Sequence, residues 1–101
     1  LFNLIEESIK KAIEPFVFEP NDAGTWNKIK SLITNYLAGL WKSGAMQGDS
    51  EDEAFYVAAG LDETMTAQDI QEGRLIMEIG VAAVRPAEFI VVRFKHTMAE
   101  S

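Results

Sequence analysis

His96 is the only histidine in the chain, and histidine is the side chain whose ordinary titration falls near neutral pH. A hydrolytic triad or a zinc site would need it beside partners at set spacings. No GxSxG elbow, HExxH pair or HxE motif surrounds it, so spacing supports a plain surface histidine at a strand end. Asp49, Glu51, Asp52 and Glu53 cluster in QGDSEDE, as hard cations require. The run lacks the alternating Asp/Asn positions, the mid-loop glycine and the closing bidentate Glu of a calcium loop, and it reads as a solvated turn. The glycines of GLWKSGAMQG follow a helical pattern and carry no GK[ST], so they read as helix termination and turn chemistry. Lys28 and Lys30 suit an acidic partner, against the plainer alternative of a solvated helix face. With no acid-base pair and no nucleophile beside a base, the expectation is a protein that is not an enzyme and holds neither metal nor cofactor.

The elements that carry these residues are bounded by composition. At 101 residues, 48% apolar and 25% charged, the chain suits one ordinary globular domain spanning residues 1–101. Its formal net charge of −7 disperses nine Lys and Arg among sixteen acids, which argues against nucleic acid as a partner. There are no cysteines, so disulfides and thiolate metal sites are excluded. No apolar run reaches the ~18 residues of a membrane span, and no basic leader precedes a cleavage-like site. The expectation is a chain with no membrane anchoring and no visible secretion signal. Leu1, Leu4, Ile5, Ile9, Ala12 and Ile13 already follow helical spacing at the amino end, as in a part of something longer.

That stripe predicts a helix over 2–14, supported by Glu6 with Lys10 and Glu7 with Lys11 and ended by Pro15. PFVFEPNDAG reads as a short extended piece and a turn, with Asn21, Asp22 or Thr25 as cap of the next helix. That second helix is expected over 26–42, its apolar face set by Trp26, Ile29, Ile33, Tyr36, Leu37, Leu40 and Trp41, with Gly44 as the stop. AFYVAAG is a candidate strand with Phe55 and Val57 on one face and Tyr56 on the other. A short helix follows over 66–73, capped by Thr66, with Asp69 at its third position. Two strands, 74–83 and 87–95, are separated at Arg85-Pro86. Trp26 and Trp41 are expected to anchor a core, and Met46, Met65, Met77 and Met98 to fill it. The order predicts an α+β fold: two amphipathic helices packed on a small, mainly antiparallel β-sheet, with a short third helix.

Together LFNLIEESIKKAI, the FEPN turn before a Trp-led helix, AFYV and GRLIMEIGVAAVRPAEFIVVRF resemble the C-terminal domain of contractile tail sheath proteins, over nearly the whole chain. Such proteins build the sheaths of myophages, R-type pyocins and extracellular contractile injection systems. The resemblance implies that the larger N-terminal part of a sheath subunit, and the segment leading into the first helix, are expected outside these residues.

The resemblance implies a structural, self-assembling role. Sheath subunits stack as rings around an inner tube and contract to drive it through a target envelope, in a virion tail assembled in the bacterial cytoplasm. The partners it implies are other copies of the sheath protein and the inner tail tube protein. It also implies a C-terminal domain nearest the tube whose sheet receives strands from neighbouring subunits, a β-augmentation. Phe89, Val91, Arg93 and Lys95 are then expected to serve inter-subunit strand pairing, with residues 95–101 either fraying or pairing with a neighbour. Lys28 and Lys30 are expected to contact the tube, with Lys10 and Lys11 as the rival pair. An independent peptide-binding module using an exposed sheet edge is the alternative.

Overall fold

The structure, a computed structural model, describes residues 2–98. Helix α1, Phe2–Ile13, buries Ile5, Ile9 and Ile13 along one stripe, as i, i+4, i+8 spacing requires. Leu4 was expected in that stripe but is 55% exposed, because one residue's step turns it about 100° away from Ile5. Pro15 does not begin an extended piece. It enters a single 3-10 turn, Glu14–Phe16, at a first-turn position where its missing N–H costs no hydrogen bond.

Helix α2, Ala23–Lys42, starts three residues earlier than its apolar spacing predicts, because Asp22 is the cap. Its carboxylate accepts from the Thr25 amide at 3.0 Å, which settles the choice among Asn21, Asp22 and Thr25. Gly44, at φ 92°, ends α2 as expected. The Gly44 amide donates to Trp41 O and the Ala45 amide to Leu40 O, the paired bonds of a Schellman stop. The acidic segment is only partly a loop: Glu51–Ala54 forms a one-turn helix, α3, with three carboxylates in its first turn, where the helix dipole favours negative charge.

Strand β1, Phe55–Ala58, is followed by helix α4, Ala67–Gln71. Thr66 and Asp69 form the expected capping box. Strands β2, Arg74–Val81, and β3, Ile90–Thr97, complete an antiparallel sheet in the order β1-β2-β3. The second long strand was expected over 87–95 and lies over 90–97. Ala87 takes φ 59° and its amide donates to Glu53 O at 2.8 Å, while the Glu88 amide donates to Arg85 O. This turn around Pro86 holds residues 87–89 outside the ladder.

The register pairs Phe55 with Val81, Val57 with Ile79, Met77 with Phe94 and Ile79 with Val92, which puts all of these on one face. That face and the inner stripes of α1 and α2 make one core, in which Ile29, Ile33, Leu37, Leu75, Met77, Ile79 and Val81 are fully buried. The four methionines and Trp26 are buried with it. The fold is therefore the expected α+β layer arrangement, with four helices among the described residues, two of them long. Lys95–Thr97 lie in β3 and Met98 is buried, so this part of the tail is structured; residues 99–101 lie outside the described residues.

Candidate functional site

Among the described residues the middle strand lacks a strand partner along part of its β1 side. β1 ends at Ala58, opposite Glu78, so the β1-side carbonyls of Ile76 and Arg74 meet no strand. Side chains take them instead: Thr64 Oγ1 donates to Ile76 O at 2.5 Å, and Asn21 Nδ2 donates to Arg74 O at 3.1 Å and to Ile70 O at 3.4 Å. Asn21 Oδ1 accepts from the Trp26 indole N–H at 2.7 Å. Asn21 is only 3% exposed, and its full pairing is what makes that burial tolerable. The FEPN turn and the Trp five residues after Asn21 are thus one device, tying the start of α2 to β2.

β3 differs. The Met98 amide donates to Gly73 O at 2.6 Å, and the alternation of an antiparallel ladder then turns the main-chain groups of residues 90, 92, 94 and 96 toward β2. Those of Val91, Arg93, Lys95 and Thr97 turn away from it, and among the described residues no strand pairs with that side. An eight-residue strand therefore has one open edge.

The sheet face opposite the core carries a linked set of side chains. Tyr56 lies across from Gly80, and a Cβ there would come within 2.0 Å of the Tyr56 ring, so only glycine lets the ring lie on the strand. Phe89 meets Tyr56 edge to face, with ring centres 5.1 Å apart. The Tyr56 hydroxyl donates to Glu78 Oε2 at 2.8 Å, and Arg93 Nε donates to Glu78 Oε1 at 2.9 Å. These two bonds, Tyr56's first, hold the Glu78 carboxyl below the usual carboxylate range against a smaller opposing effect of burial. Burial and then the Glu78 carboxylate push the Tyr56 hydroxyl up. Phe89, Val91, Arg93 and Lys95 thus share one face beside the open edge, with Val91 50% exposed.

The two lysines on α2 are not brought together, because residues two apart on a helix point in nearly opposite directions. Lys30 lies in a shallow polar groove with Asn27, Ser31, Thr34 and Asn35, and Lys28 is exposed outside it. Among the described residues no cluster of Asp, Glu, His or Cys could hold a metal ion.

His96 departs from the expected surface position. It lies inside β3 opposite Leu75, on the core side of the sheet, and is half-buried. Its Nε2 is shielded from solvent and has no hydrogen-bond partner among the described residues. The imidazole borders a groove of about 180 Å³ between α1 and β3, lined by Glu6, Lys10 and Ile13 on the helix side and by the strand from Val92 to His96.

The sequence offers Asn21 only as a cap candidate and assigns no role to Thr64, Glu78 or Gly80. The Asn-x4-Trp spacing and a lone glycine inside a strand were legible signals for Asn21 and Gly80. Nothing local marks Thr64, whose partner lies 12 residues away on β2.

Residues 1–97 match the family model described as the phage tail sheath C-terminal domain. A search of curated proteins finds no match. The fold is similar to a chain in the cryo-EM structure of the anti-feeding prophage (AFP) baseplate, 6-fold symmetrised, with a TM-score of 0.80 and 46% identity over 96% of this chain. It is likewise similar to a chain in the PVC sheath complex, an extracellular contractile injection system in the contracted state, with a TM-score of 0.79 and 44% identity over 92% of this chain. The matches span 27% and 26% of those longer chains.

Proposed function

The chain belongs to the phage tail sheath C-terminal domain family, whose role is structural and not enzymatic, and on that premise we propose that it links neighbouring subunits of a contractile sheath by strand exchange. The sheath surrounds an inner tube and drives it through a target envelope, in a phage-like particle assembled in the bacterial cytoplasm. The partners are other copies of the same protein and the tube protein.

The observation that supports strand exchange best is the open edge of β3. Exposed strand edges invite pairing and are normally short or covered, whereas β3 turns the main-chain groups of Val91, Arg93, Lys95 and Thr97 outward along eight residues. An incoming strand bonded there contributes main-chain hydrogen bonds, and Phe89, Val91, Arg93 and Lys95 supply the neighbouring side chains on the outer face. Such a link can persist while subunits rotate, because the exchanged strand moves with the sheet that holds it.

The test is Lys95→Pro in the full-length protein that contains these residues. Proline removes one outward N–H and leaves every β2–β3 bond in place, a position that an edge strand tolerates. The domain should fold as the wild type does by circular dichroism, while electron microscopy shows sheath-like tubes lost or much reduced. Normal tubes from the folded variant would refute the reading.

Tube contact by Lys28 and Lys30 is the other part of the proposal. Because the two lysines face different ways, Lys30, seated in the polar groove of α2, is the better placed if one surface meets the tube. Lys28→Glu and Lys30→Glu, made separately and together, should weaken tube attachment without unfolding the domain. Unchanged tube–sheath assembly by the double variant would remove this part.

A further inference from the structure

Strand β2 has a length of free edge of its own, and a strap of chain lies over it. β1 stops at Ala58, opposite Glu78. From there back to Arg74, the main-chain groups that β2 turns away from β3 meet no strand among the described residues. A bare strand edge is a template for pairing with another chain unless something covers it. The outer edge of β1 is blunted by its length, only four residues. The free part of β2 has no such protection: it continues an eight-residue strand, and Leu75 and Ile76 there are both buried apolar residues.

Residues 59–65 form the cover. The Gly60 carbonyl accepts from the Glu63, Thr64 and Met65 amides, and the Asp62 amide donates to Met65 O at 2.8 Å. Asp62 takes φ 64°, a left-handed conformation that aspartate reaches more readily than most residues. The amides of residues 62–65 are thus all bonded within the strap. Two contacts fix it to the sheet. Met65 is buried in the core, and the Thr64 hydroxyl donates to Ile76 O at 2.5 Å while accepting from the Gly60 amide at 3.4 Å. That one hydroxyl ties the closed end of the strap to the strand beneath it, and Asn21 takes the next outward carbonyl, that of Arg74.

We propose that residues 59–65 are an edge guard fastened by Thr64, which keeps the free part of β2 from pairing with an extended segment of a second copy of this chain. The strap satisfies the edge with a side chain in place of a strand, so nothing is left there for a foreign backbone to bond. The proposal goes beyond strand exchange and does not depend on it, because it concerns where the sheet is kept from pairing.

The test uses the 101-residue chain, with amide hydrogen exchange and sedimentation as readouts. Thr64→Val keeps the side-chain shape and removes the hydroxyl. The comparison is Ile9→Val, a core truncation in α1 that lowers overall stability, with both variants studied at a matched fraction unfolded. In Thr64→Val the Asp62 and Met65 amides should exchange roughly ten- to a hundred-fold faster than in Ile9→Val, the range for losing one buried hydrogen bond. Self-association should set in at a concentration lower by roughly ten-fold or more. It should persist when Thr64→Val is combined with Lys95→Pro, which blocks the outward edge of β3. Thr64→Ser, which keeps the hydroxyl, should behave as the wild type. No excess association over Ile9→Val, loss of that excess in the Lys95→Pro background, or equal association by Thr64→Ser would each overturn the proposal. These outcomes are independent of whether the full-length protein forms sheath-like tubes, so the strand-exchange reading is judged separately.

Discussion

Asn21→Ala tests the central structural claim, that one buried amide joins the FEPN turn, α2 and β2. The wild-type side chain donates to Arg74 O and Ile70 O and accepts from the Trp26 indole. Truncation leaves at least two buried groups, the indole N–H and the Arg74 carbonyl, without partners. Each buried unsatisfied group costs about 1–3 kcal/mol, and water entering the space recovers part of that, so the net loss should be about 3 kcal/mol. For a domain of this size each kcal/mol lowers Tm by roughly 4–8 °C, giving a fall of roughly 12–24 °C. Urea unfolding followed by far-UV circular dichroism and Trp fluorescence measures it, with an unchanged m-value as the sign that the compactness of the states is unaltered. Asn21→Asp should be at least as harmful, because it keeps an acceptor for Trp26 but turns a second oxygen toward two carbonyls. Combined with Trp26→Phe, Asn21→Ala should show a coupling of about 1 kcal/mol or more, as expected for directly bonded partners. A loss below about 1 kcal/mol, within the range of ordinary surface changes, would refute the reasoning.

Three further outcomes follow from the sheet and its caps. Gly80→Ala puts a methyl where the Tyr56 ring lies and should cost about 1–3 kcal/mol, with a changed near-UV tyrosine signal; an unchanged signal would show that the ring is not seated there. Glu78 should titrate below the ordinary carboxylate range by NMR, and Tyr56→Phe should move it back up, since the Tyr56 bond is the largest cause of the shift. A carboxyl with its folded pKa lowered contributes stability that is fully present above its unfolded pKa and lost as pH falls through the folded one. Tyr56→Phe should therefore lose less stability on acidification through that window, and equal slopes for both proteins would count against the assignment. Thr66→Ala removes the acceptor for the Asp69 amide at the start of α4 and should cost about 1 kcal/mol, measurable by the same urea titration.

The sequence by itself determined what depends on repeat spacing. A 3.6-residue apolar period placed Ile5, Ile9 and Ile13, and then Ile29, Ile33 and Leu37, on buried helix faces, and a two-residue period separated Leu75, Met77, Ile79 and Val81 from Arg74 and Glu78. These signals are local, so the α+β class and the identity of the core faces were readable, as were the Thr66 cap and the Gly44 stop. The residues and their order also carried the resemblance to sheath proteins that the family match bears out over 1–97. Tertiary structure alone decided what depends on distant partners. Asn21 is a hub and not a cap because Arg74 O comes to it across 53 residues of chain. β3 starts at Ile90 because Ala87 is held to Glu53. His96 became a half-buried groove residue because β3 continues past it to Thr97, opposite Arg74. Lys28 and Lys30, neighbours in the sequence, were parted by the turn of the helix that carries them. Spacing along a chain sets which way each side chain points, but only the packing of elements sets what it meets there.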